Sequence, residues 1–209
     1  MINLDKITLK RSNKTEVVQA VPLIYSSGPD AFEYVFKNTK NSAQDFLAHA
    51  FVREGGEFSY QNHYSLYQDE QMLGIGSIFN AKEAAAFSTK DATNILRFYT
   101  IRSIPILRRG LQVEGLIKLP EKKEIAIAHL GIKPVFRGKG LGTRMIALLR
   151  EKAKKEAGSY FVLDVSEENP KAKALYDRLG FITTKKNNSS LRNKFSYVPN
   201  HFRMELRTD

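Results

Sequence analysis

Cysteine is absent from the 209 residues of this chain. A disulfide framework, a thiolate zinc site and a cysteine nucleophile are excluded together, and the absence fits a reducing compartment. The start, Met1-Ile-Asn-Leu-Asp-Lys6, lacks the basic segment and following apolar segment of a signal peptide. Long apolar runs are missing too. The stretch from Ile125 to Ile132 is among the longest, far short of the roughly 20 residues a bilayer-spanning helix needs. A soluble cytoplasmic protein with no membrane partner is expected. Paired zinc-ligand spacings and Lys/Arg runs interleaved with aromatics are also lacking, so no nucleic-acid-binding motif accompanies the net charge of +11. A solvated basic surface accounts for that charge, which also raises the on-rate for anionic ligands.

What is present suits a packed core. The apolar share is 42%, with 13 Phe and 9 Tyr, and charged residues make up 26%, an ordinary balance for a globular protein. With no internal repeat and no linker composition, residues 1–209 read as one domain.

Ile2, Leu4, Ile7 and Leu9 alternate loosely as a first strand. Asn13 is placed to cap a helix running towards Tyr25, interrupted at Pro22. Pro29 suits the first position of a second helix, and Ser42-x-x-Asp45 reads as the capping box of a third that ends at Gly55-Gly56. Residues 57–68 and 71–79 are aromatic-rich and read as a hairpin. Ser88-x-x-Asp91 predicts another helix with Ile95, Leu96, Tyr99 and Ile101 on its apolar face, limited by Pro105 and closed by Gly110. A strand from Ile125 to Ile132 follows, then a glycine loop and a helix carrying Met145, Leu148, Leu149 and Ala153, with Gly158 past its end. A strand from Tyr160 to Val165, a helix opened by Asn169-Pro170, and closing strands 181–184 and 201–206 complete the order. The closing strands would leave a sheet edge on which a homodimer could pair.

The segment Leu130-Gly-Ile-Lys-Pro134-Val-Phe-Arg137-Gly-Lys-Gly140-Leu-Gly142-Thr143 carries the chemistry. A strand enters a loop with three spaced glycines, and a helix starts at once. Glycine allows positive φ and a close approach of backbone to ligand. The N–H groups of such a loop converge where the helix dipole also favours negative charge, and Arg137 and Lys139 add cationic side chains. This is a diphosphate cradle, against the bland alternative of a turn without a ligand. It lacks the G-x-x-x-x-G-K-[ST] of a P-loop, and Thr143 stands where the dinucleotide fingerprint G-x-G-x-x-G needs glycine.

Arg137-Gly-Lys-Gly140-Leu-Gly142 resembles the Arg/Gln-x-x-Gly-x-Gly/Ala signature of the GNAT acetyltransferase superfamily. Leu130-Gly-Ile132-Lys-Pro134 is similar to the stretch that precedes that signature. Asn169-Pro-Lys-Ala172-Lys-Ala-Leu175-Tyr176-Asp-Arg-Leu-Gly180-Phe181 is similar to a second family motif. The resemblance covers residues 124–184 well and the upstream elements only in outline. It implies an α/β fold: a mixed, mostly antiparallel sheet splayed between strands four and five and flanked by helices. Residues 1–120 would form the acceptor side, 121–184 the acetyl-CoA-binding core, and 185–209 a closing loop and strand. Acetyl-CoA is the implied co-substrate, with no metal. The backbone of Leu130, Gly131 and Ile132 would pair with its pantetheine arm. Arg137 and the N–H groups of Gly138, Lys139, Gly140, Leu141, Gly142 and Thr143 would hold its pyrophosphate, with Asn169 and Ala172 close by.

The family reaction implied is direct attack of a neutral amine on the thioester, with a tyrosine protonating the leaving thiolate. Tyr176 matches that tyrosine. A phenol titrates near 10 and a thiol near 8.5, so the phenol stays protonated and can donate. By spacing alone Tyr176 reads first as a half-buried helix aromatic beside Ala172 and Leu179, a reading that the flanking motif outweighs, and Asn169 before Pro170 is a good N-cap whatever else it does.

The base is less clear from the pattern. Where many members carry Glu or His on the fourth strand, this chain has Ala126 and Ala128. Glu124 lies further back on the same face and is the expected base, acting through water. Imidazole is by type a better base near neutral pH, but His129 points to the opposite face unless the strand bulges. A low-pKa substrate amine would need no base at all. Two other classes stay open: an acyl-CoA-binding sensor without catalysis, and a nucleic-acid binder using the basic charge. The acceptor is an amine on a small molecule, a protein lysine or an N-terminus.

Overall fold

The computed structural model describes residues 2–153 and 160–207. Gly158, expected past the end of a helix, lies outside the described residues. Seven strands form one sheet in the order β1-β2-β3-β4-β5-β7-β6: β1 (Ile7–Arg11), β2 (His63–Gln68), β3 (Gln71–Asn80), β4 (Glu124–Ile132), β5 (Tyr160–Ser166), β6 (Ile182–Asn187) and β7 (His201–Arg207). Every neighbouring pair is antiparallel except β4 and β5.

Three helices precede β2: α1 (Val17–Tyr25), α2 (Pro29–Phe36) and α3 (Ala43–Phe51). Their starts follow local chemistry. Asn13 and Glu16 form a capping box at the turn leading into α1, Pro29 opens α2, and Ser42 and Asp45 form the box of α3. These helices pack Ile24, Phe46, Leu47 and Phe51, all 0% exposed, against one face of the sheet, where Met72 and Ile75 of β3 meet them. The opposite face is covered by α6 (Leu141–Ala153) and α7 (Pro170–Arg178). There Met145 and Leu149 pack with Ile127, Phe161 and Tyr176. Burying such side chains contributes on the order of 1.5–3 kcal/mol each.

Three expectations are corrected. The helix expected to start at Ser88 is α4 (Ala81–Tyr99): Asn80 and Glu83 form an earlier capping box, and alanines 84–86 continue the helix through Ser88. On α4, Ile95 and Tyr99 are buried, whereas Leu96 is 51% and Ile101, beyond its end, 91% exposed. Gly110 does not close the next segment, because α5 (Ser103–Leu116) runs through it with Pro105 in the first turn, where no intrahelical N–H is required. The strand expected from residue 57 begins only at His63. Before it, Ser59 caps a short 3-10 turn over Tyr60–Asn62, and the Asp91 carboxyl accepts from the Glu57 N–H at 2.9 Å.

Candidate active site

The parallel pairing of β4 with β5 covers only Glu124↔Tyr160, Ile125↔Phe161 and Ala126↔Val162. Beyond it the strands part. β5 continues against β7 as far as Ser166↔His201, while β4 continues against β3 as far as Ile132↔Gly74. One backbone edge of Leu130, Gly131 and Ile132 therefore faces a gap in the sheet. Gly131 is required here for a second reason: a Cβ on it would stand 2.4 Å from the carbonyl oxygen of Leu23 on α1.

The glycine loop lies at the end of that gap. Gly138 and Gly140 adopt φ of +76° and +78°, which a side chain would strain. The N–H groups from Gly138 to Thr143 have no acceptor among the described residues, and the first amide to find one is Arg144, bonded to the Gly140 carbonyl at 3.0 Å. Arg137 does structural work alongside its charge: its Nε donates to the Ile132 carbonyl at 3.0 Å and ties the loop to β4. Lys139 is exposed.

The helix α7 lies beside the loop, since a Cβ on Gly142 would meet Leu175 Cδ2 at 3.0 Å. Asn169 caps α7, its Oδ1 accepting from the Ala172 N–H at 3.1 Å. Tyr176, one turn on, is 9% exposed and packs its ring against Phe181 at 5.9 Å. Its hydroxyl has no hydrogen-bond partner among the described residues, and burial pushes its pKa up to about 12. The phenol is thus in the donor form throughout the range in which amines are handled.

The side chains of β4 change facing midway. Ile125 and Ile127 belong to the α6 face, and Ala126 and Ala128 to the α4 face. The register with β3 then slips: Ser77 pairs with Ala128 but Ile75 pairs with Gly131, so β4 holds one extra residue. His129 is at that slip, with φ +54°, a left-handed conformation unusual for any residue with a side chain. The bulge places His129 on the same side as Ala128, under α2 and the 57–62 turn, and Leu130 returns to the α6 face.

There His129 joins a polar chain. Its Nε2 is 3.3 Å from Glu57 Oε1, and its Nδ1 is 3.1 Å from Nε2 of His63. His63 is 0% exposed, and its Nδ1 lies 2.9 Å from the Ser59 carbonyl. Phe32 and Phe58 flank the His129 ring at 6.0 and 5.2 Å. Asp91, held under Glu57, has its pKa pushed up to about 8, first by burial and then by Glu57 and Glu114 nearby.

Glu124 is placed differently. Its Oε2 accepts from Arg203 Nη2 at 2.8 Å and from the Glu121 N–H at 2.8 Å. It stands where β4 is still paired with β5, at the far end of the strand from Leu130. Spacing alone pointed to Glu124 and passed over Glu57, which no motif marks. The only available signal was the odd position of His129 beside two alanines.

A sheet opened between its fourth and fifth strands, with a glycine cradle at the mouth of the gap, defines the GNAT class of fold. The acetyltransferase (GNAT) family model matches residues 33–181, and the chain belongs to that family. It is similar to an uncharacterised N-acetyltransferase of Methanocaldococcus jannaschii, 44% identical over 62 residues, which are 29% of this chain and 27% of that relative. The chain thus spans little more than a quarter of the length of this curated relative. Among solved structures, an N-acetyltransferase from Staphylococcus aureus superposes with a TM-score of 0.67 at 15% identity, covering 95% of this chain and 100% of that one. A probable acetyltransferase from Chromobacterium violaceum does so with a TM-score of 0.57 at 12% identity, covering 97% and 87%. Among the described residues, no helix is long and apolar enough to cross a membrane.

Proposed function

We propose that this chain moves an acetyl group from acetyl-CoA to a primary amine by direct attack, with His129 as the base and Tyr176 as the acid. The observation that carries the reading is the row of N–H groups from Gly138 to Thr143, without acceptors among the described residues and beside the open edge of β4. Such a row fits a pyrophosphate, and the edge fits an amide-bearing arm added like a strand. Leu130, Gly131 and Ile132 would hold the arm. Arg137 and the amides from Gly138 to Thr143 would hold the diphosphate, with Lys139 adding charge and Asn169 and Ala172 closing the side. Acetyl-CoA, when bound, supplies the acetyl thioester.

On the other side of the sheet, His129 Nε2 takes the proton of the incoming ammonium and leaves a neutral amine to attack. Glu57, 3.3 Å from that nitrogen, stabilises the imidazolium formed. As the C–S bond breaks, Tyr176 gives its hydroxyl proton to the departing thiolate, and the second proton that the amine nitrogen sheds on becoming an amide restores the phenol through solvent. Glu124 is set aside as the base because Arg203 and the Glu121 amide already occupy its carboxylate. The acceptor side is built from α1–α3 and the turn before β2, and the acyl side from β4, the loop, α6 and α7.

The test is release of free CoA from acetyl-CoA across a panel of amines, with mass spectrometry of the products. Turnover that drops about a hundredfold or more in His129→Ala supports the reading. CoA binding without turnover across the panel would favour an acyl-CoA sensor instead.

A further inference from the structure

The Ser59 carbonyl, His63 and His129 form one chain of contacts that ends at the nitrogen facing Glu57. We infer that buried His63 is a positioning residue. It holds His129 in the Nδ1–H form, so that Nε2, beside Glu57, is the nitrogen that takes the acceptor's proton. This deepens the proposed acetyl transfer and rests on it for its catalytic meaning, though the tautomer itself can be read without turnover.

The argument starts at Ser59. A carbonyl oxygen can only accept, and it lies 2.9 Å from His63 Nδ1, so that nitrogen carries the proton. His63 is 0% exposed and packs against Phe51 at 6.1 Å. Among the described residues no carboxylate touches its ring. The charged and titratable groups that act on it are His129, across the nitrogen–nitrogen contact, and Arg11 of the neighbouring β1, both of which disfavour a second proton. Burial adds to this most strongly and holds its pKa down to about 3. Neutral His63 therefore presents a lone pair at Nε2.

That lone pair faces His129 Nδ1 at 3.1 Å, with the ring planes 17° apart. The ring centroids are 5.2 Å apart, as expected for two nearly coplanar rings joined edge to edge by a nitrogen–nitrogen hydrogen bond. Only a proton on His129 Nδ1 makes this contact a bond. In neutral His129 the remaining lone pair is then at Nε2, the nitrogen beside Glu57. When Nε2 takes a proton from an ammonium, the Nδ1–H···Nε2 bond to His63 is kept, and the new cation lies against Glu57, with Asp91 and Glu114 behind it. No group has to rotate or exchange a second proton. The positive φ of His129 serves the same geometry, because it swings the ring to the side where His63 waits.

The tautomer is measurable directly. Long-range 1H–15N correlation spectra of the 15N-histidine-labelled full chain separate the two nitrogens of each of its four histidines. His129→Gln and His63→Gln spectra assign the two that matter. The expected result is a protonated Nδ1 and a bare Nε2 on neutral His129, with the same pattern on His63. A wild-type His129 that carries its proton on Nε2 would overturn the inference.

A second arm follows function. His63→Phe removes the acceptor for Nδ1–H. It should move His129 to the Nε2–H pattern and lower kcat/KM at least about tenfold, as for partners that fix a histidine tautomer. His63→Gln, whose amide oxygen can accept the same proton, should retain most of the rate and the Nδ1–H pattern. Equal losses in both variants with the His129 pattern unchanged would reduce His63 to a packing residue and overturn the inference. Absence of turnover on every amine, with the Nδ1–H pattern intact, would instead count against the transfer reading alone.

Discussion

Arg203 joins Glu124 to Asp164 across three strands, its Nη2 2.8 Å from Glu124 Oε2 and its Nη1 2.6 Å from Asp164 Oδ2. The guanidinium is 11% exposed and the two carboxylates 16% and 6%, so this is a largely buried triad. Removing one member leaves the others undercompensated, at a cost of roughly 3–5 kcal/mol for a fully buried pair and less here. Glu124→Gln should therefore lower the melting temperature by several degrees while leaving kcat/KM within a few fold. A loss of activity like that of His129→Ala, at intact stability, would restore Glu124 as the base.

Tyr176 can be separated from its surroundings by one atom. Tyr176→Phe keeps the ring against Phe181 and removes a hydroxyl that has no partner among the described residues. Thermal stability should hold or rise slightly, and CoA affinity should be unchanged. The rate of CoA release in a single turnover should fall about 10²- to 10⁴-fold, the usual range for a lost general acid. An unchanged release rate would end the acid role.

The cradle makes a prediction about binding alone. Gly140 has φ +78°, a conformation that costs an L-residue roughly 1–2 kcal/mol. Gly140→Ala should weaken CoA binding about tenfold or more by calorimetry, because the loop relaxes away from the geometry that aims its amides. Desulfo-CoA, which retains the pyrophosphate, should lose affinity equally, whereas a pantetheine fragment without it should be insensitive.

Asp91 sets a pH dependence of stability. Its pKa is pushed up to about 8, chiefly by burial, from an ordinary 3.8. Between those values the folded chain holds a proton that the unfolded chain has released. Stability from this group is therefore full below about pH 4 and is lost as pH rises to about 8. Asp91→Asn, whose amide oxygen can still accept from the Glu57 N–H, should flatten that decline. The measurement is a series of urea midpoints from pH 5 to 9 for both proteins. A parallel decline in the two would remove Asp91 as its source.

The parts legible in the sequence are those whose causes are local. The Arg137–Thr143 loop is fixed by glycines at positive φ, the caps at Asn13, Ser42 and Asn169 by side chains reaching their own first turns, and the start of α2 by the fixed φ of Pro29. Other features depend on distant contacts. An exception is Asn80-x-x-Glu83, a capping box as local as the others, which competes with the same pattern at Ser88-x-x-Asp91. The 57–62 turn is held by Asp91, 34 residues away from Glu57. The slip at His129 arises from the pairing of β4 with β3, which no window along one strand displays.

That slip turns side-chain facing on β4 into a matter of parity. Up to Ala128, even numbers look towards α4; past the extra residue, even numbers look towards α6. Strict alternation from Glu124, Ala126 and Ala128 therefore applies the wrong parity to the end of the strand, and it assigns His129 to the face opposite the acceptor side. The inserted residue is itself the histidine. Deleting His129 would do more than shorten the strand, because it would leave a smooth ladder with no imidazole on the acceptor side. In chains of this kind, an apparently missing strand base should be sought first at the residue that breaks the alternation.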